Sequence, residues 1–295
     1  MNTYLDCIPC FFKQALEAAR LAGAGEKEQK MVIDELCGMV PGFMLEMSPP
    51  EMGVLIYGMV NRITGKKDPY KKIKEKSNKM ALEIYPELKK RLDDSPDRLF
   101  TAVEMAIMGN VIDYGVKNNL NIEQEINNFL KKDFNTTSNQ NKRVFDYRQF
   151  CDTLNKASSV LYLGDNSGEI VFDRILIEEL PVPVIYVVRG GPIINDVTID
   201  DAVVCGLDKV ARVISSGCKA PGTILNSCSR EFIQLFNAAD MIISKGQGNF
   251  ETLSDIGRPI YFLFKAKCSV VAGMIGCEMG SMVLKGKGKN EKIVK

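Results

Sequence analysis

Two short acidic turns contain the residues of this sequence that are best suited to chemistry. The first turn, 164–169, has the sequence Gly-Asp-Asn-Ser-Gly-Glu and directly follows the apolar run 159–163. The second turn contains Asn195 and Asp196 and comes after the apolar run 184–188. Carboxylate and amide oxygens are hard ligands that suit a divalent cation. Because ligands of a parallel α/β sheet bind outside the carboxyl ends of its strands, we expect both turns to contribute to one site.

The predicted metal ligands are Asp165, Asn166 and Asp196. Aspartate, asparagine and glycine are also common in turns that have no function, so one such turn would be weak evidence. Two turns of this composition after successive strands favour a metal site over ordinary turn structure. A structure in which the three side chains lie far apart would contradict this prediction.

Two further predicted strand ends carry groups that suit an anion. Gly246 and Asn249 lie in the turn 244–249, where glycine allows backbone N–H groups to approach an anion. Lys265 directly follows the apolar run 261–264 and adds a positive charge. A hard-metal site combined with glycine turns and a lysine is typical of a site that binds a phosphate ester.

Asn110 and Asp113 interrupt the apolar stripe of a predicted helix. With about 100° of rotation per residue, they project within about 40° of Ala106, on the apolar face of the helix. Buried polar groups need partners, so these residues either cap a neighbouring loop or face the predicted site. We favour the second interpretation, in which both residues contribute to substrate binding.

The composition excludes several classes of mechanism and partner. The sequence contains no histidine, which excludes Ser-His and Cys-His nucleophile pairs and imidazole-ligated zinc hydrolases. The formal net charge of +1 gives no indication of nucleic acid as a partner. No apolar run reaches the length of a membrane helix, and the N-terminus lacks the apolar core of a signal peptide. We therefore expect a cytoplasmic protein with no membrane partner.

Nine cysteines are present, most of them in apolar surroundings typical of buried thiols. Cys7 and Cys10 form a CxxC motif, but no second CxxC is present to complete a four-ligand zinc site. Cys268 follows another predicted strand end and is the best candidate for a third partner. Two interpretations stay open: thiols packed at the start of a helix, or a redox or metal site.

The elements that must position these residues fall into two parts. Residues 1–150 have helical patterns, including a capping-box start at 48–51, and their lysine-rich segment 66–91 is interpreted as a solvated helix surface. In 151–295, short apolar runs alternate with helical patterns, which predicts an α/β fold with a mostly parallel sheet and covering helices. The lysine- and glycine-rich end, 285–295, is predicted to be a frayed tail.

Taken together, the motifs resemble those of the metal-dependent damage-control phosphatase family, formerly domain of unknown function 89. The segments that carry the resemblance are 109–115, 165–169, 191–198, 245–251 and 264–268, and the CxxC at 7–10 is similar to the compact prokaryotic branch. The resemblance implies a helical bundle domain packed on a three-layer α/β/α, Rossmann-like domain. It also implies metal ligands at Asp165, Asn166 and Asp196 and a phosphate-contacting lysine at Lys265.

We therefore expect a divalent-metal-dependent phosphatase of small phosphorylated metabolites, such as sugar phosphates or damaged cofactor intermediates, that uses Mg²⁺, Mn²⁺, Co²⁺ or Ni²⁺. The nucleophile is either water activated by the metal or Asp165, and Glu169 or Asp113 is the candidate acid. One alternative is a nucleotide- or S-adenosylmethionine-binding module, although the first strand lacks a full dinucleotide fingerprint. The other is a CxxC-centred metal or redox protein. The oligomeric state is not predicted.

Overall fold

The computed structural model describes residues 1–109 and 143–288. Within 1–109 the chain forms five α-helices, and the capping-box start predicted for the third one is confirmed. Both the backbone N–H and the hydroxyl of Ser48 donate to Glu51 at 2.7 Å, and a proline occupies the first turn. The helices are α1 (Cys7–Leu21), α2 (Glu26–Met39), α3 (Pro49–Thr64), α4 (Lys71–Asp93) and α5 (Arg98–Met108).

The strands form a seven-stranded sheet in the order β1-β7-β6-β5-β2-β3-β4. The five strands from β6 to β4 in this order are parallel, whereas β7 runs antiparallel to β6 and parallel to β1. The predicted mostly parallel sheet is therefore confirmed. The strands are β1 (Arg143–Phe145), β2 (Val160–Leu163), β3 (Val184–Val188), β4 (Arg212–Ser215), β5 (Met241–Lys245), β6 (Ile260–Lys265) and β7 (Met282–Lys287).

Helices cover both faces of the sheet, which gives three layers. Successive residues of a strand point to opposite faces, so β5 contributes Ile243 to one core and Ile242 to the other. The helices of this part are α6 (Tyr147–Leu154), α7 (Glu169–Glu178), α8 (Ile199–Val204), α9 (Arg230–Ala238), α10 (Gln247–Leu253) and α11 (Ser269–Ile275). Helices α4, α5 and α7 pack on the first face, whereas α9, α10 and α11 pack on the second.

The order of the strands determines where a ligand can bind. From β2 the chain moves outward through β3 and β4, then returns to the other side of β2 to form β5 and β6. The carboxyl end of β2 is therefore the topological switch point, where helices on the two sides diverge and leave a crevice. Asp165 lies just beyond this strand end.

The sheet begins earlier in the chain than predicted, because β1 precedes residue 150. Helices α4 and α5 share a core with the sheet, whereas α1, α2 and α3 form a separate apolar cluster around Val32 and Ile56. The division of the chain into domains 1–150 and 151–295 stays a prediction. Among the described residues, no helix combines the length and the apolar character needed to cross a membrane.

The prediction of a frayed tail is wrong for 285–287, which are part of β7. The ammonium of Lys287 is buried and donates to the backbone carbonyls of Ser254 at 2.5 Å and Ile256 at 2.6 Å. The lysine-rich composition gave the wrong expectation because a lysine can be buried when carbonyl groups bind its ammonium.

Candidate active site

The two acidic turns lie side by side and are joined through their backbones. Asn166 and Asp196 form an antiparallel β-bridge. The N–H of Ser167 donates to the carbonyl of Asn195 at 2.9 Å, and the N–H of Val197 donates to that of Asp165 at 2.8 Å. The backbone therefore brings the three predicted metal ligands to one place at the carboxyl end of β2.

The side chains of the first turn bind one another. The amide nitrogen of Asn166 donates to Asp165 Oδ2 at 2.7 Å and to Glu169 Oε2 at 3.1 Å. All three side chains are buried. Since the nitrogen of this amide faces two carboxylates, its oxygen is the atom that could serve as a metal ligand.

Arg189, which sequence analysis did not select, links the two turns. This arginine directly follows β3 and is buried. Its Nε donates to Asp196 Oδ2 at 2.6 Å, and its Nη2 lies 3.5 Å from Asp165 Oδ1. Its Nη1 donates to Thr223 and Asn249 at 3.1 Å each. One guanidinium therefore holds a carboxylate from each turn, a geometry that suits its planar set of donors.

Asn249 supports this arginine. It is fully buried, and its Oδ1 accepts hydrogen bonds from Arg189 and Thr223. Its amide nitrogen donates to the carbonyls of Lys245 at 2.8 Å and Gly164 at 3.3 Å. These hydrogen bonds give Asn249 a structural role between strand ends, and its substrate contact stays a prediction.

Gly246 provides space for Asp165 rather than an N–H group for an anion. Its φ angle is +82°, and a Cβ at this position would lie 2.0 Å from Asp165 Oδ2. Its own N–H already donates to the carbonyl of Leu263 at 3.1 Å. A glycine is thus required by both the backbone conformation and the close carboxylate.

A fully buried ion cluster lies next to the first turn. Lys245 donates to Glu169 Oε1 at 2.5 Å, to Asp173 Oδ1 at 2.6 Å and to a backbone carbonyl of α5 at 2.7 Å. The two oxygens of Asp173 also accept hydrogen bonds from the hydroxyls of Tyr162 and Tyr186, at 2.7 and 2.9 Å. The lysine and both carboxylates are thereby fixed by several hydrogen bonds in a region without solvent.

Glu169 was a candidate acid, but its contacts indicate a positioning role. One of its oxygens accepts from Lys245 and the other accepts from Asn166. Burial raises the pKa of Glu169, while the Lys245 ammonium opposes the shift. Because both oxygens bind groups inside the protein, this carboxylate orients Asn166 rather than reaching a leaving group.

The surroundings of Asp165 disfavour its charged form. Burial, followed by the charges of Asp196 and Glu169, raises the pKa of the Asp165 carboxyl well above its usual range, and Arg189 and Lys267 oppose this shift. A metal site made only of acidic or cysteine side chains needs at least three of them close together, and no such group occurs among the described residues. The donor set that fits a cation is thus two carboxylates and one amide oxygen, all hard ligands.

After Arg189, the positive charge that acts on Asp165 is that of Lys267, whereas a phosphate contact of Lys265 stays a prediction. Lys267 also acts on the carboxylate of Glu251. Lys265 is the last residue of β6, and the stem of its side chain passes close to Gly280. Side chains two residues apart point to the same face only within a strand, and β6 ends at Lys265. The sequence therefore could not show which of the two lysines, Lys265 or Lys267, places its ammonium near Asp165.

The predicted thiol partners are neighbours. Burial raises the pKa of Cys7, and nearby Cys10, Cys268 and Glu251 add to this shift. Cys268 is the N-cap of α11, where its sulfur accepts from the N–H of Val271 at 3.5 Å. The structure describes all nine cysteines, and each is a free thiol. Among the described residues no three such side chains form a group that could hold a metal ion, so the geometry gives no support to a metal site at these thiols, and a redox role stays a prediction.

Asn110 and Asp113 lie outside the described residues, so their predicted contribution to substrate binding is not tested. Helix α5, which ends at Met108, does reach the site region. A backbone carbonyl near its end, that of Ala106, accepts a hydrogen bond from Lys245 at 2.7 Å.

Comparison with known proteins identifies the family of this chain. The model of the damage-control phosphatase ARMT1-like domain matches residues 3–283. The chain belongs to the damage-control phosphatase family. A damage-control phosphatase of Pyrococcus horikoshii is 34% identical over 96% of this chain and 97% of its own length. An uncharacterized protein of Methanocaldococcus jannaschii is 37% identical over 95% of this chain and 93% of its own length.

The fold is also shared with a solved member of this family. The crystal structure of the P. horikoshii protein, a DUF89 family member, matches with a TM-score of 0.85 and 32% identity over 99% of this chain and 100% of its own. The α/β fold and the family resemblance predicted from the sequence are therefore confirmed. Family membership supports a phosphatase that acts on damaged metabolites, in preference to the nucleotide-binding and CxxC-centred alternatives.

Proposed function

We propose that this damage-control phosphatase depends on a divalent metal ion and hydrolyses small phosphorylated metabolites. The observation that carries the proposal is the backbone bridge between Asn166 and Asp196, which joins the two acidic turns at the topological switch point. Such a crevice is the usual ligand site of an open α/β sheet.

The residues at the bridge fit a hard divalent cation such as Mg²⁺, Mn²⁺, Co²⁺ or Ni²⁺. Asp165 and Asp196 offer carboxylate oxygens, and Asn166 offers an amide oxygen. The raised pKa of Asp165 reflects burial beside other negative charges, and a cation would relieve this repulsion. When bound, a divalent ion would polarise a phosphoryl oxygen and offset its negative charge.

The protein's own residues have separable tasks in this proposal. Arg189 fixes the separation of Asp165 and Asp196, because it contacts a carboxylate of each. The pair of Glu169 and Lys245 fixes the orientation of the Asn166 amide. Asp165 must be ionised to act as a ligand or as a nucleophile. Burial and the neighbouring carboxylates raise its pKa and disfavour that form, whereas Arg189, Lys267 and a bound cation would favour it.

Lys267 is the proposed phosphate-contacting cation. Its backbone N–H donates to Gln247 Oε1 at 2.9 Å, which places this residue beside the start of α10, and its charge acts on both Asp165 and Glu251. An ammonium in this position would offset the charge of a phosphate group that approaches Asp165, most strongly where water is excluded. The substrate is proposed to be small, because the site lies in a crevice between strand ends.

The test is a phosphate-release screen of chelator-treated protein against a panel of phosphorylated metabolites, with each of the four metals added separately. Asp165→Asn and Asp196→Asn should abolish metal binding and phosphate release together. The exposed Asp208→Asn is the matched control and should behave as wild type. Full activity of the chelated wild type, or no phosphate release with any metal, would contradict the proposal.

A further inference from the structure

A buried polar group outside the candidate active site connects α4 to the first acidic turn. The amide oxygen of Asn78 accepts a hydrogen bond from the N–H of Gly168 at 2.7 Å. The amide nitrogen of Asn78 donates to Asp201 Oδ1 at 3.0 Å. Both side chains are buried, as is that of Lys74, whose ammonium lies 2.7 Å from Asp201 Oδ2. We refer to Lys74, Asn78 and Asp201 as the polar clamp.

The contact with Gly168 fixes the first turn near its ligands. Gly168 lies between Asn166 and Glu169 in sequence and is the N-cap of α7. Its φ of +80° is a conformation that glycine adopts without strain. The N–H of this residue points to the Asn78 oxygen, so the orientation of the turn depends on a residue of α4.

The contact with Asp201 fixes the second turn in the same way. Asp201 Oδ2 accepts hydrogen bonds from the N–H of Thr198 at 2.9 Å and from its hydroxyl at 2.7 Å. These bonds cap α8, which begins shortly after Asp196. Asn78 therefore connects Gly168 of the first turn to the carboxylate of Asp201, which caps the helix that follows the second turn.

The chemistry of the clamp requires an amide at position 78. Gly168 presents a donor and Asp201 presents an acceptor, and an amide supplies one acceptor and one donor in a fixed plane. Lys74 is one helical turn before Asn78, so both reach Asp201 from the same face of α4. Its charge compensates the buried carboxylate, which would otherwise be strongly unfavourable.

We propose that Asn78 is a positioning residue that, beside the backbone bridge and Arg189, orients the two acidic turns relative to each other and thereby raises the metal affinity of the site. This inference rests on the proposed function, because it assumes that the two turns share an ion. Asn78 itself touches neither the ion nor the substrate. Outer-shell partners of this kind typically change metal affinity by about 10–100-fold when they are replaced.

The sharpest test exchanges the two partners. Asn78→Asp keeps an acceptor for Gly168 but opposes the carboxylate of Asp201, so Mn²⁺ affinity should fall about 10–100-fold. In the double variant Asn78→Asp/Asp201→Asn, the new amide at 201 donates to the new carboxylate at 78 and still accepts from Thr198. The total charge is unchanged, and Mn²⁺ affinity should return close to that of wild type.

The measurement is calorimetric titration of chelator-treated full-length protein with Mn²⁺ in the absence of substrate, with circular dichroism to verify folding. Lys79→Ala is the control on α4, since this neighbouring side chain is 78% exposed. A merely structural role for Asn78 would lower the melting temperature without changing Mn²⁺ affinity in the folded protein.

Each outcome decides the inference. Wild-type affinity in Asn78→Asp overturns it, and so does a folded double variant that fails to recover affinity. If the single variant does not fold while the double variant folds and binds Mn²⁺ as wild type does, the role of Asn78 is structural and the inference is overturned. A wild type that binds no Mn²⁺ or other divalent metal overturns the proposed metal site together with the inference, whereas the other failures leave the metal site intact.

Discussion

Replacing Lys245 with methionine tests whether the ion cluster beneath the site stabilises the protein. Methionine retains most of the volume of the stem but removes the ammonium. The buried carboxylates of Glu169 and Asp173, bound at 2.5 and 2.6 Å, would lose their common cation. The two carboxylates would then repel each other in a region that excludes water.

The magnitude follows from the burial of the group. Removing one partner of a buried ion pair typically destabilises a protein by about 3–5 kcal/mol, because the remaining charge is left uncompensated. At about 2 °C per kcal/mol for a large domain, the melting temperature of Lys245→Met should fall by about 6–10 °C. Protonation relieves an uncompensated carboxylate, so this deficit should be smaller at pH 5 than at pH 8.

Thermal unfolding followed by circular dichroism at both pH values measures the effect. Lys79→Met is the matched control, because that lysine is 78% exposed and should change the melting temperature little. Adding Asp173→Asn to Lys245→Met should recover part of the loss, since one buried charge is removed. A Lys245→Met protein that melts as wild type does, or a deficit that grows toward low pH, would refute this reasoning.

Three further predictions concern the site. Gly246→Ala places a Cβ 2.0 Å from a site carboxylate and should abolish metal binding and phosphate release, whereas Gly23→Ala, at a similar φ but with open space around it, should cost only about 1–2 kcal/mol of stability. Lys267→Ala should lower kcat/KM by about 10²-fold in phosphate-release assays, and Lys265→Ala should have a much smaller effect. Burial raises the pKa of Glu251 to about 7, so its contribution to stability is present at low pH and lost as pH rises through that value. Glu251→Gln should therefore melt above wild type at pH 8 but not at pH 5, and equal melting temperatures at pH 8 would contradict this.

The sheet could be predicted from the sequence because its signals are local. Each parallel strand is a short apolar run, and the turns after β2 and β3 have the Asp, Asn and Gly composition of strand ends. The alternation of strands and helices then implies that neighbouring strand ends lie at one edge of the sheet. This was sufficient to bring Asp165, Asn166 and Asp196 together.

The groups that support the ligands could not be predicted in the same way. The contact between Asn78 and Asp201 spans 123 residues, and no local pattern distinguishes this asparagine from a solvated one on a lysine-rich helix. Arg189 and Lys245 do have a signal, because each is a charged residue at or just after the end of an apolar strand. That signal does not indicate whether the charge faces solvent or a buried carboxylate, since burial depends on the helices packed above the strand.

The contacts around the two turns show that groups of the protein itself hold the two turns together. The turns are connected by a backbone bridge, by the guanidinium of Arg189 and by Asn78 with Asp201, three connections that involve different groups. A site whose ligands are already ordered loses less conformational entropy on binding, so more of the interaction energy appears as affinity. The same contacts hold the carboxyl groups of Asp165 and Asp196 close together in a buried place, where the proposed divalent ion would offset the repulsion between their charged forms.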